Sequence, residues 1–193
     1  MTVDFEAPAR RVIPPTKLAH VVLRTNNFAK MVEFYKDFLG ADVIYESDFL
    51  AFLTYDEEHH RVAIAAVPGT KGKDKMTCGL EHLAFAFSTI ADLLLAYRQR
   101  KQKGILPLWP VNHGPTTSIY YKDPDGNMIE TQADNFDNPD DATKFMKSKF
   151  FSENPVGTDF DPEDHIKRLS NGEHESDLKK RVEIGPRGLP DFF

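Results

Sequence analysis

Residues 18–135 read as one β-α-β-β-β pattern written twice, and a chain built that way has few means of burying its apolar faces. The first copy opens with Leu18-Ala-His-Val-Val-Leu-Arg-Thr25, rich in β-branched residues and short enough for a strand. Phe28, Met31, Val32, Tyr35, Phe38 and Leu39 follow at helical spacing, with Asn26 or Asn27 to cap the start and Gly40 to end it. Three strand-like runs complete the unit: Ala41 to Ser47, Phe49 to Tyr55 and His60 to Val67. The second copy opens at Gly79-Leu-Glu-His-Leu-Ala-Phe-Ala-Phe87. Its helix carries Ile90, Leu93, Leu94 and Tyr97, begins at the capping box Thr89-x-x-Asp92 and stops at Gly104. Runs at Leu106 to Val111, Thr116 to Lys122 and Asn127 to Ala133 match the first copy, the last two joined by the turn Asp123-Pro-Asp-Gly126. Modules are therefore expected at about 17–68 and 78–135, after an N-terminal arm, 1–16.

Composition narrows the class. A net charge of −6 lacks the basic footprint that phosphate contacts require, so no nucleic-acid partner is expected. No apolar run reaches the length of a membrane span, and no secretory leader is expected. The single Cys78 can form no internal disulfide, which fits the cytoplasm, and reads as a small buried apolar residue. Charged residues thicken after Phe136 and strand-like runs stop. Asn138-Pro139 and Asp161-Pro162 are expected to start helices, with a shorter one near Leu178. The first of these helices is expected near the mouth of an active site or against a partner subunit. His165 and His174, in this charged stretch, read as solvated.

Three polar side chains interrupt otherwise apolar strands: His20, His82 and Glu130, spaced by 62 and 48 residues. A carboxylate inside Asn127-Met-Ile-Glu-Thr-Gln is costly to bury unless it is paired or bound to a metal. Two imidazoles and a carboxylate form a facial set for a divalent cation that leaves other positions open. A strand histidine taken singly is more often a hydrogen-bonded core residue; here the two histidines occupy the same place in two copies of one unit.

The duplicated unit, the opening histidines and the closing Asp-Pro-Asp-Gly-Asn-Met-Ile-Glu resemble the vicinal oxygen chelate superfamily over residues 17–135. Within it, His59-His60-Arg-Val-Ala-Ile-Ala-Ala-Val-Pro68 and a tyrosine, Tyr120, ten residues before Glu130 resemble the single-domain type I extradiol dioxygenases. The resemblance implies an α+β fold whose two βαβββ modules form one curved, barrel-like mixed sheet around the metal, followed by a helical extension, 136–193. It implies Fe(II), with Mn(II) as a second candidate, held by His20, His82 and Glu130, and O2 as co-substrate. His60 would move protons, Tyr120 would orient a small aromatic diol, and His113 would contact substrate, although it stands nearer Tyr120 than in the family pattern. A homo-oligomer is compatible with it.

Two other functions fit the same pattern. A glyoxalase-like isomerase or thiol transferase would use four protein ligands, yet Arg61-Val-Ala-Ile-Ala-Ala-Val-Pro68 offers none, since arginine has no free lone pair. A non-catalytic binder of small aromatics would have no use for His60 and Tyr120. Trp109 and Phe85 read as core aromatics that can also line a pocket, and Lys71-Gly-Lys-Asp-Lys75 as a loop without the spacing of a phosphate cradle.

Overall fold

The computed structural model describes residues 11–74 and 76–191. The start of the N-terminal arm therefore lies outside the described residues. The first module runs β1 (Val21–Thr25), α1 (Phe28–Leu39), β2 (Asp42–Glu46), β3 (Leu50–Thr54) and β4 (Val62–Ala66). The second runs β5 (His82–Phe87), α2 (Ile90–Gln102), β6 (Trp109–Asn112), β7 (Thr116–Lys122) and β8 (Met128–Asp134). The alternating and β-branched runs become strands, and the 3.6-residue periodicity becomes the two helices. The architecture is α+β, as the duplicated pattern requires.

Each module folds its strands into its own mixed sheet. The first has the order β1-β4-β3-β2 and the second β5-β8-β7-β6, so each opening strand lies at an edge, parallel to the last strand of its module. The expected single barrel-like sheet is thus two sheets that do not close. The opening strands pair only within their modules, and a groove of about 710 Å³, lined in part by Val22, Arg24, Leu80, Glu81 and Met128, runs between the two halves.

The modules share one core nonetheless. Met31, Val32, Tyr35 and Phe38 on the inner face of α1 join Leu93, Leu94, Ile119, Tyr121 and Ile129 of the second module. Tyr35 donates its hydroxyl to the Asp123 carboxylate, 3.0 Å away, and the Phe38 ring meets the Tyr121 ring edge-on. Arg100 lies buried between the helices, donating to the Phe38 carbonyl with its guanidinium over the Phe38 ring. Asp123 also accepts from the backbone of Asp125 and Asn127 and from the Asn127 amide, closing the predicted Asp-Pro-Asp-Gly turn. Asn27 occupies the start of α1 without capping it. Its amide bonds Asp125 instead, a second tie between modules.

The C-terminal stretch is ordered: α3 (Pro139–Met146), α4 (Lys149–Glu153), β9 (Thr158–Asp159), α5 (Pro162–Ser170) and α6 (Glu175–Leu178). Asn138 and Asp161 cap α3 and α5 as their sequences predict. The short β9 was not apparent from the sequence. It adds a fifth strand beside β6, which requires Gly157, because a Cβ there would lie 2.3 Å from the Asn112 carbonyl oxygen. Leu178 enters the common core, with Phe160, Ile166 and Leu169 packed against it. Two single-residue expectations are corrected. Cys78 is exposed, because it lies in the turn-rich linker rather than in a strand. His165 is buried, because α5 turns it inward onto the Phe160 ring. Among the described residues, no helix is long and apolar enough to cross a membrane.

Candidate functional site

Strand register places the candidate residues in matching rows of the two sheets. In the second, Trp109 stands opposite Tyr120 and Tyr120 opposite Glu130, which in turn pairs with Ala84, two residues after His82. In the first, the same row reads Tyr45, Phe52, Ala63 and Val22, two residues after His20. The duplication is therefore exact at the histidines, while Ala63 stands where the second module has its carboxylate.

In the second module the row is chemically connected. His82 Nε2 lies 3.0 Å from a Glu130 carboxylate oxygen. Burial pushes the Glu130 carboxyl up, but hydrogen bonds from His82 and Ser118 outweigh it and hold the group below the usual carboxylate range. The same bond to Glu130 raises His82 against the opposing effect of its partial burial. Tyr120 stacks on Trp109 with ring centroids 5.2 Å apart, and its hydroxyl is 3.0 Å from His113 Nε2. His113 Nδ1 lies 2.6 Å from the Val156 carbonyl oxygen. A carbonyl only accepts, so Nδ1 carries the proton and, in the neutral ring, Nε2 is the acceptor. Burial lowers the His113 pKa, which keeps the ring neutral near pH 7. Burial first, and the nearby Glu130 charge second, drive the Tyr120 phenol far upward, so it stays protonated.

His20 and His60 lie elsewhere. His20 stands one residue before β1, because the Arg61 guanidinium binds the Leu18 and Ala19 carbonyls. Its ring lies 4.4 Å from the His60 ring, which also contacts Phe52 and His59. Burial and the neighbouring imidazoles lower His60. The structure thus assembles Glu130, His82, Tyr120 and His113 on one sheet, and His20, His60 and His59 on the other. Among the described residues, no three histidine, cysteine or acidic side chains converge as a metal-holding group. The His82–Glu130 pair suits two corners of a divalent site. Of the three expected donors the fold brings together His82 and Glu130, while His20 lies beside His60 on the first sheet.

A cavity of about 750 Å³ opens over the connected row. It is lined by Glu81, His82, Trp109, His113 and Tyr120, and by Pro155, Val156 and Leu189 from the C-terminal stretch. Those last three, rather than α3, bring the extension to the site. None of the three was a sequence candidate. No sequence signal marked them: β9, Thr158–Asp159, follows Val156 closely and carries it to the cavity without a strand pattern of its own.

Comparison with known proteins decides the family. Residues 17–131 match the model of the Glyoxalase/Bleomycin resistance protein/Dioxygenase superfamily. The chain belongs to that superfamily. Within the superfamily it is 46% identical to biphenyl-2,3-diol 1,2-dioxygenase 3 of Rhodococcus globerulus over 168 residues, covering 86% of this chain and 88% of that protein. It is 48% identical to biphenyl-2,3-diol 1,2-dioxygenase 2 of the same organism, over 76% of this chain and 77% of that one. Among superfamily structures, a glyoxylase/bleomycin resistance protein/dioxygenase domain from Frankia sp. EAN1pec superposes with a TM-score of 0.53 at 17% identity, covering 63% of this chain and 93% of that chain. That likeness supports the fold: two modules with open mixed sheets.

Proposed function

We propose that this chain is a cytoplasmic extradiol dioxygenase that opens a catechol-type aromatic ring by inserting both atoms of O2, with Fe(II) as its metal. The observation that carries the reading is the set His82, Tyr120 and His113 at the polar end of an apolar cavity, with Glu130 paired to His82. The high identity to two biphenyl-diol dioxygenases supports it. Bound ferrous iron would supply the redox chemistry that lets a singlet ring react with triplet oxygen.

The chain's own residues bind and manage protons. The apolar cavity takes the ring and excludes water from it. The protonated Tyr120 phenol meets a diol oxygen as a hydrogen-bond partner and fixes its orientation. His113, neutral and 3.0 Å from the Tyr120 hydroxyl, is placed to take a diol proton through that hydroxyl and return it. The family resemblance gives the proton-handling role to His60; the geometry favours His113, since His60 lies on the first sheet beside His20. A glyoxalase-like reading gains nothing from Ala63, which stands where a fourth ligand would come from.

The test is anaerobic Fe(II) loading followed by oxygen uptake with a catechol panel, watching for a yellow ring-opened product. Tyr120→Phe should retain diol binding and lower kcat by roughly 10²–10³, the usual worth of one positioned hydrogen bond or proton relay. A loaded wild-type protein that binds diols but consumes no oxygen with any of them would reduce the site to a binder.

A further inference from the structure

The C-terminal stretch passes the cavity twice, and both passes clasp the same side chain. On the first pass, Pro155 and Val156 form one wall, and Asp159 accepts the Trp109 indole N–H at 2.6 Å. On the second, Arg187 donates to Asp159 at 2.8 Å and to the Gly157 carbonyl at 3.2 Å, with its guanidinium 5.6 Å from the Trp109 ring. Two residues later Leu189 reaches the cavity rim, 67% exposed. Leu189 is thus a large apolar side chain left exposed at the rim of that cavity. The cavity is graded: His82, His113 and Tyr120 give it a polar end, whereas Trp109, Pro155, Val156 and Leu189 are apolar.

We propose that Leu189 is a specificity-determining residue: it covers an aryl substituent beside the two hydroxyls of the substrate, and the Arg187–Asp159–Trp109 latch holds it in place. This rests on the diol reading for the polar end of the cavity. A monocyclic diol fills that end and leaves Leu189 in water. A diol carrying a second ring extends along the Trp109, Pro155 and Val156 walls and under Leu189, whose contact adds to the discrimination.

Trp109 is the chain's only tryptophan, so binding can be read without metal or turnover. Metal-free protein is titrated with catechol, with biphenyl-2,3-diol and with unhydroxylated biphenyl, following Trp109 emission. Leu189→Ala should weaken biphenyl-2,3-diol by about tenfold, as loss of roughly two buried methylene equivalents requires, and leave catechol unchanged. Arg187→Ala should weaken the same ligand and shift the Trp109 emission, because the latch on the indole is gone. Equal effects of Leu189→Ala on both diols, or none on biphenyl-2,3-diol, would overturn the inference. Biphenyl binding that is as tight as that of its diol, yet still Leu189-dependent, would keep the apolar wall and refute the diol reading instead. Leu189 is exposed, so its truncation leaves the core intact.

Discussion

Replacing Tyr35 by Phe removes a single oxygen at the seam between the modules. The Tyr35 ring is fully buried, and its hydroxyl donates to Asp123, which is itself 5% exposed. Burial and the adjacent carboxylate push the Tyr35 phenol far above its ordinary range, so it is a donor at every working pH. In the variant, Asp123 keeps three donors, all from its own turn, and loses the only one from the first module among the described residues. A hydrogen bond to a buried charge contributes about 1.5–3 kcal/mol, and the ring stays in place, so no large cavity adds to the loss. For a chain of this size that is a fall in Tm of roughly 3–12 °C, read by calorimetry or circular dichroism. A cycle with Asp123→Asn should give a coupling of about 1 kcal/mol or more, because the two side chains act on each other. If Tyr35→Phe melts within about 1 °C of wild type, the modules are held by apolar packing, and the hydroxyl–carboxylate bond contributes nothing.

Two further tests reach the site and the tail. Glu130→Ala should keep the fold but lower bound divalent metal at least tenfold by elemental analysis; His20→Ala should do the same only if His20 joins the pair when metal is present, and unchanged metal content would remove it from the ligand set. His165 is held neutral chiefly by burial, with Arg168 adding to that against Asp164, Asp161 and Glu173. Its folded pKa is below its unfolded one, so the unfolded chain binds the extra proton. Stability should therefore fall as pH drops through and below the ordinary histidine range. Wild type should lose more Tm between pH 7 and pH 5 than His165→Gln; equal losses would refute the assignment.

Local chemistry made much of the molecule legible. The caps at Thr89, Asn138 and Asp161, the left-handed Gly40, and the Asp123 turn form where their side chains demand. Tyr120, Glu130 and His113 also meet, because fixed register on two adjacent strands and one tight loop carries them there. What local pattern could not give was the placement of one sheet against the other. His20 and His82 hold the same position in their modules, and that equivalence says nothing about whether the modules bring them together. The Val156 wall and the Arg187 latch depend on a tail folding back across a long loop, where no periodicity announces the partner. Burial is a tertiary property, so the exposure of Cys78 and the burial of His165, both outside the repeated strands, were not legible from local pattern either.

The carbonyl of Val156 sets the tautomer of a ring 43 residues earlier in the chain. Because it belongs to the backbone, no side-chain substitution at position 156 deletes it, and a scan of point variants would pass over it in silence. The path of the extension is thus itself a chemical instruction. Any change that lets residues 154–157 drift from β6 would free the His113 proton to swap nitrogens, altering the polarity of the hydrogen bond that reaches Tyr120 while leaving every residue of the row in its place.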